Sequence, residues 1–337
     1  MSTDMPKLLY IAAWSRSGST ILDQTLGQLE GFFTVGELAH VWERGADLLC
    51  GCGREVKDCE IWDRIFTEAF GAPPGVFDFA HITSHRLWAT RLRYFSMLAN
   101  PLTRRLLRRS LEPRLDLMEK LYRAVGNATG AKVIVDSSKR PNYAYLLELC
   151  GVGLPYIVHL VRDPRGCAYS YQIPKPHPDP YIGLMSTVHP GVSSLQWLEI
   201  NAAIQRTWGG SHGRYLLVRY EDFIAAPKDT ICRILELVGE RVSRLPFLSS
   251  NSVILEPRHG VAGNPSRFST GTVQLKLDER WKSSLKHRDK LLVTTITRPL
   301  LRRYGYDQGC RPPTFRTGSI LSKGSTPGGT PHSRNTA

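Results

Sequence analysis

Short apolar runs and longer stretches of helical spacing alternate along the chain. Four runs, at 8–14, 132–135, 156–161 and 215–218, are nearly free of charge, which is how a strand buried on both faces of a parallel sheet reads. Between them, segments such as 195–208 and 228–238 repeat apolar residues at helical spacing, and Pro227 stands where a first-turn proline is welcome. Strands separated by helices predict an α/β fold of three layers, a central parallel sheet flanked by crossover helices. We find no internal repeat, and residues 1–310 read as one domain.

Two segments depart from this rhythm. Residues 86–114 hold eight arginines against one acid, Glu112, with Pro101 and Pro113 expected to divide them into two or three helices. They form the heart of a basic helical insert at about 80–125. From about Arg311 the chain is rich in Gly, Ser, Thr and Pro, too poor in apolar residues to offset the entropy of ordering, so 311–337 is expected to be a disordered tail.

At 337 residues and 42% hydrophobic, the chain is long enough to bury a full core. Its net charge of +14 implies anionic partners. No apolar run reaches the roughly 20 residues of a membrane span, and the N-terminus lacks a secretory pattern. The seven cysteines are odd in number and scattered, which suits a reducing compartment. The expectation is a soluble cytoplasmic protein, with no integral membrane association and no nucleic-acid partner, since no stacking platform or binding motif accompanies the basic block.

The first apolar run breaks into Ser15-Arg16-Ser17-Gly18-Ser19-Thr20 before an amphipathic segment. A strand, a small-residue loop and a helix start present free N–H groups and a positive dipole end to an anion. The hydroxyls of Ser17, Ser19 and Thr20 add donors, and Arg16 adds a rigid fork of them. A nucleoside-triphosphate loop would carry a second glycine and a lysine, and both are missing. The loop therefore suits one compact anionic group; a plain serine-capped helix start fits it equally well. A second strand, in YIVHLVRDPRGCAYSY, ends at Arg162, with Ser170 about two helical turns on. Ligands of open α/β sheets bind at that edge; a salt bridge from Arg162 to Asp163 or a neighbouring acid is the plainer reading.

Together, SRSGST and LVRDPRGCAYS resemble the 5′-phosphosulfate loop and 3′-phosphate motif of the sulfotransferase superfamily that uses 3′-phosphoadenosine-5′-phosphosulfate (PAPS). GELAHVW with the CGCG and CEIW stretches, VIVDSSKRP, LLVRYEDFIAAP, HGVAGNPSRF and LLRRYGY resemble bacterial members in the same order, over most of 8–306. The resemblance implies a P-loop-like fold and sulfuryl transfer from PAPS, as co-substrate, to a hydroxyl or amine acceptor. It further implies that Arg16 to Thr20 grip the 5′-phosphosulfate, that Arg162 and Ser170 hold the 3′-phosphate, and that Tyr220 lies near the nucleotide. A loop from His259 to Arg267, with Gly260, Gly263 and Asn264, would close over it. No metal is required by this donor.

An in-line displacement at sulfur needs a base for the acceptor proton and positive charge on the leaving oxygens. Arg16 is the natural stabiliser, an arginine loop resembling the tyrosylprotein and carbohydrate branches. Glu37, after the apolar Phe32-Phe33 and a Val-Gly turn, is the expected base, with a pKa raised by apolar neighbours; an exposed glutamate at a helix start is the alternative. Lys139 in DSSKRP is the third catalytic candidate. Asp136 either orients it or caps the next turn.

Cys50, Cys52 and Cys59 cluster without the paired spacing of common structural zinc sites. His40 is a conceivable fourth ligand, but partly buried thiols without metal are the expectation. Trp197 and Asp278–Trp281 read as packing residues. The acceptor, a small molecule, glycan or lipid that the basic block favours being anionic, is expected along 77–100, 173–194 and that block. Two other classes remain open: a small-molecule kinase, which would carry the absent lysine and a magnesium-poised acid, and a non-catalytic polyanion-binding protein.

Overall fold

The computed structural model describes residues 5–79, 101–176 and 183–307. Five strands form one fully parallel sheet in the order β2-β3-β1-β4-β5, with β1 at Lys7–Ala13, β2 at Phe32–Gly36, β3 at Val133–Lys139, β4 at Tyr156–Val161 and β5 at Tyr215–Arg219. Four correspond to the apolar runs. The fifth, β2, reads as a turn in the sequence because it is short and carries Thr34 at its centre, yet it pairs with β3 from Phe32↔Val133 onward.

Period-two alternation along β1 divides the core. Leu8, Tyr10 and Ala12 join the helices Glu60–Phe70, Pro101–Thr129 and Pro141–Leu149 on one face. Leu9, Ile11 and Ala13 join Ser19–Leu26 and Pro227–Val238 on the other. Burying an aliphatic side chain as fully as Leu9 or Ile11 contributes about 1.5–3 kcal/mol. This is the three-layer α/β arrangement expected. A third cluster around Trp197, Tyr304 and Tyr306 joins the helices Pro190–Trp208 and His287–Arg303. A short antiparallel pair, β6 at Ser252–Leu255 and β7 at Gly271–Gln274, lies outside the main sheet.

One helix boundary corrects the sequence reading. Pro101 does start a helix, but Pro113 does not end one: it lies inside Pro101–Thr129. An interior proline costs roughly 3 kcal/mol. Here Leu111, Leu115, Met118, Tyr122 and Val125, on both sides of it, are buried along one helical face, and that packing overrides the break. Arg105, Arg108 and Arg109 are exposed on this helix. The expectations for 80–100 and 311–337 fall outside the described residues. Among the described residues, no helix is long and apolar enough to cross a membrane.

Candidate active site

Every strand of the main sheet delivers a side chain to one cavity at its carboxyl edge. Arg16 follows β1, Glu37 follows β2, Lys139 ends β3, Arg162 follows β4 and Tyr220 follows β5. The chain leaves β1 for one side of the sheet and later places β4 on the other, the switch point at which open α/β sheets bind ligands. The cavity encloses about 500 Å³, within the range of small-ligand clefts. Among the described residues, its lining holds six cations, Arg16, Arg44, Lys139, Arg162, Lys175 and Arg267, against two carboxylates, Glu37 and Asp278.

The loop after β1 is built for close approach. Arg16 has a φ of 67° and Gly18 one of 88°, left-handed values that cost a non-glycine residue free energy. Gly18 is required twice over, since a Cβ there would run into the Tyr220 ring. The helix Ser19–Leu26 starts with no side-chain cap, so its first N–H groups are not used up by the serine cap that the sequence left open. Ser19 and Thr20 line the cavity, while Ser17 is fully buried against the Cys167 thiol at 3.8 Å. The Arg16 guanidinium packs over the Tyr171 ring at 5.2 Å and donates from Nη2 to the Met185 sulfur. Its Nη1 is buried without a hydrogen-bond partner among the described residues, an arrangement suited to an incoming anion.

Arg162 is only 6% exposed. It donates to the Arg16 carbonyl at 3.0 Å and the Asp278 carbonyl at 3.1 Å, and its guanidinium lies 4.7 Å from the Tyr220 ring centroid. Its carboxylate partner is Asp278, at 3.3 Å, not Asp163. Asp163 instead caps the helix Pro164–Gln172 and pairs with Arg165. That helix carries Ser170 to the cavity wall. Asp278 therefore corrects the packing role expected for 278–281, although Trp281 does pack, over Arg165. Trp197 is buried and donates to the Arg162 carbonyl at 3.0 Å.

On the opposite wall, Lys139, itself at a φ of 69°, forms an ion pair with Glu37. His40 reaches Glu37 at 3.4 Å and Glu43 at 3.1 Å, and Glu43 in turn pairs with Arg140. Burial pushes the Glu37 carboxyl up, but Lys139 and His40 pull it down further, to about 2. The raised pKa expected from apolar neighbours is thus reversed, because Lys139 from the neighbouring strand and His40 from the next helical turn close on the same carboxylate. Asp136 takes the capping role: it accepts from the Ser138 N–H at 2.7 Å and from the Tyr122 hydroxyl.

The 259–267 loop clips onto the edge of β2. Val261 N–H donates to the Val35 carbonyl at 2.9 Å, and Glu37 N–H donates to the Val261 carbonyl at 2.8 Å. Gly36, with a φ of 69°, has no room for a Cβ against that backbone. Gly263, Asn264 and Arg267 line the cavity, Asn264 caps its own turn, and Arg267 donates to the Leu49 carbonyl at 2.9 Å. Burial pulls the Arg267 guanidinium down to about 10. His259 and Gly260 do not line the cavity. His259 faces Cys50 and Cys59, and His40, the fourth metal ligand weighed in the sequence, faces the carboxylates instead.

Sequence reasoning overlooked His40, Arg44, Tyr171 and Asp278 as lining residues. His40 and Arg44 stand three and seven residues after Glu37, a helical spacing that was there to be read. The basic block supplies no described residue to this lining. From the 173–194 segment, Lys175, Met185 and Ser186 do reach it.

These strand-end residues lie within a match to a known family. The model described as "Sulfotransferase family" matches residues 9–244, a span that contains Arg16, Glu37, Lys139, Arg162, Ser170 and Tyr220 and stops short of the 259–267 loop. Among solved structures, the chain is similar to the sulfotransferase domain from the curacin biosynthetic pathway, at 16% identity and a TM-score of 0.46 over 88% of this chain and 99% of that one. It is similar to the sulfotransferase domain from the Synechococcus PCC 7002 olefin synthase, at 16% identity and 0.48 over 92% and 98%. A Mycobacterium avium sulfotransferase is similar at 14% and 0.40 over 72% and 65%. No curated protein matches the chain. By the family match across most of its length, the chain belongs to the sulfotransferase family.

Proposed function

We propose that this protein transfers the sulfuryl group of PAPS to a hydroxyl or amine of a small acceptor, a carbohydrate, lipid or related molecule. The observation that carries the reading is the convergence of five strand ends on one cationic cavity. The orphaned Nη1 of Arg16 and the uncapped helix start suit a phosphosulfate. Arg162 and Ser170, which line the same cavity, suit a second, separate phosphate. The 3′-phosphate and the 5′-phosphosulfate are what distinguish this donor from ADP or ATP.

PAPS would supply an activated sulfuryl group with a bisphosphate leaving group. Arg16 and Lys139 hold positive charge where the leaving and non-bridging oxygens gain negative charge. Glu37 accepts the acceptor's proton as its oxygen or nitrogen attacks sulfur and the bond from sulfur to the 5′-phosphate oxygen breaks. At a pKa of about 2 the free-protein Glu37 is fully ionised but a weak base. It gains basicity when Lys139 turns from the carboxylate toward the sulfuryl oxygens, so one lysine couples donor binding to base strength.

Calorimetry tests the donor assignment. Tight binding of 3′-phosphoadenosine-5′-phosphate without added metal, weak binding of ADP, and loss of binding in Arg162→Ala are expected. Preference for ATP with magnesium, or no nucleotide binding, would overturn it.

A further inference from the structure

Behind the loop that borders Glu37, three thiols and an imidazole meet. The Sγ atoms of Cys50, Cys52 and Cys59 and a ring nitrogen of His259 all lie within 4.8 Å of one another. Cys52 Sγ is 3.8 Å from Cys59 Sγ, and His259 Nδ1 is 3.3 Å from Cys59 Sγ and 3.7 Å from Cys50 Sγ. A zinc tetrahedron, with Zn–S near 2.3 Å and Zn–N near 2.05 Å, has S···S edges of about 3.8 Å and S···N edges of about 3.6 Å. The spacing of these side chains already approximates those edges. Cys50 and Cys59 are buried, and Cys52 and His259 are partly so.

We infer that Cys50, Cys52, Cys59 and His259 form a structural zinc site that staples the 50–59 segment to the 258–263 loop. Three thiolates and one neutral imidazole suit zinc by ligand type, and four protein ligands complete its coordination with no open position, the pattern of a structural centre. Three thiolates on a divalent ion leave one net negative charge, and Arg64 and Arg258 are close enough to His259 to act on its charge. The backbone is shaped for the junction. Gly51 N–H donates to the Gly260 carbonyl at 2.9 Å, and a Cβ on Gly51 would run into the Arg258 carbonyl. Trp62 Nε1 fixes the His259 carbonyl at 2.8 Å.

The metal-free expectation came from counting three clustered thiols; the fourth ligand arrives from 200 residues away. From His259 the loop runs two residues to Val261, whose carbonyl accepts the Glu37 N–H. The zinc thus secures the loop that holds the backbone of Glu37, without entering the cavity itself.

Elemental analysis of protein prepared in zinc-replete, chelator-free buffer is the test. About one zinc per chain is expected, with a several-fold loss in Cys52→Ala and in His259→Gln and none in Cys232→Ser, an exposed thiol elsewhere. Cobalt-loaded wild type should show intense sulfur-to-metal charge transfer and tetrahedral ligand-field bands. On the same wild-type protein, a strong chelator should lower Tm and expose three additional reactive thiols; this arm decides the matter where a variant fails to fold. A metal-free protein with no cobalt spectrum, a Cys52–Cys59 disulfide in fresh protein, or full zinc in both ligand variants would overturn the site. The inference does not depend on the donor. Zinc without 3′,5′-bisphosphate binding would sink only the donor reading, and bisphosphate binding by a metal-free protein only the zinc.

Discussion

Lys139 and Glu37, which end one strand and follow its neighbour, are ion-paired across the cavity wall. The pair fixes two predictions about one reaction. Glu37→Gln removes the base while keeping its shape, so kcat should fall by about 10²–10⁴ with bisphosphate affinity nearly unchanged. Lys139→Met removes a cation that lowers the Glu37 pKa while burial, which raises it, stays. The acidic limb of kcat/KM should therefore move up in pH relative to wild type, whose Glu37 titrates near 2. An unshifted limb would separate Lys139 from Glu37 in the mechanism.

Arg162 and Asp278 make the second pair. Asp278 is held well below the ordinary carboxylate range, by Arg280 first, against burial, and then by Arg162. If a 3′-phosphate displaces this carboxylate, Arg162→Ala and Asp278→Asn should act in opposite directions. The first removes a largely buried donor and should weaken bisphosphate binding by about 2–4 kcal/mol, roughly 30- to 700-fold in Kd. The second removes a competitor that is partly exposed, so the gain is modest, up to about fivefold. Calorimetric titrations of both variants at one salt concentration check the signs; weaker binding in Asp278→Asn would show that the aspartate supports the site instead.

Gly18→Ala isolates steric fit from backbone strain. At Gly18 a methyl meets the Tyr220 ring, which itself lies against Arg162. Gly71 has a similar φ of 74° but open space around it. Both alanine variants pay the left-handed strain, about 1–3 kcal/mol, and should lose a few degrees in Tm. Only Gly18→Ala should also lose bisphosphate affinity, tenfold or more. Equal affinities in the two variants would remove Tyr220 from the account of the loop.

How far the sequence speaks depends on how local the physics is. Strands β1 and β4 were legible because a strand buried on both faces is a continuous apolar run, and Arg16 and Arg162 were legible because charge follows those runs abruptly. β2 was not, since five residues with a central threonine carry too little pattern. Glu37 could be marked from its position, but its pKa could not, because Lys139 comes from another strand and His40 from the next helical turn. Asp278 and His259 show the same limit more sharply: each takes its meaning from a partner more than 100 residues away. Pro113 failed as a breaker because a packed face of buried residues outweighs one local rule.

Asp23 offers a prediction about stability rather than turnover. It is buried on the helix Ser19–Leu26, where its Oδ1 accepts the Thr34 hydroxyl at 2.6 Å, and Thr34 Oγ1 in turn accepts the Gly36 N–H at 3.1 Å. Burial pushes the Asp23 carboxyl up to about 7 against an ordinary value of 3.8, with hydrogen bonds from Thr34 and Ser137 only partly offsetting it. The folded pKa lies above the unfolded one, so the folded state binds the proton more tightly. The resulting stability is complete below about 3.8 and is lost as pH rises through 7. Asp23→Asn keeps an oxygen for Thr34 and cannot ionise. Its Tm relative to wild type should be near parity below about pH 3.8 and should climb as pH rises from there through 7, with a free-energy gain bounded at roughly 4 kcal/mol. Thr34→Val, which removes the donor but keeps the shape, should lose stability most at high pH, where the carboxylate needs that bond. Thermal melts of the three proteins from about pH 3.5 to 8 decide it, and a pH-independent gap between wild type and Asp23→Asn would mean that Asp23 is already ionised within the fold.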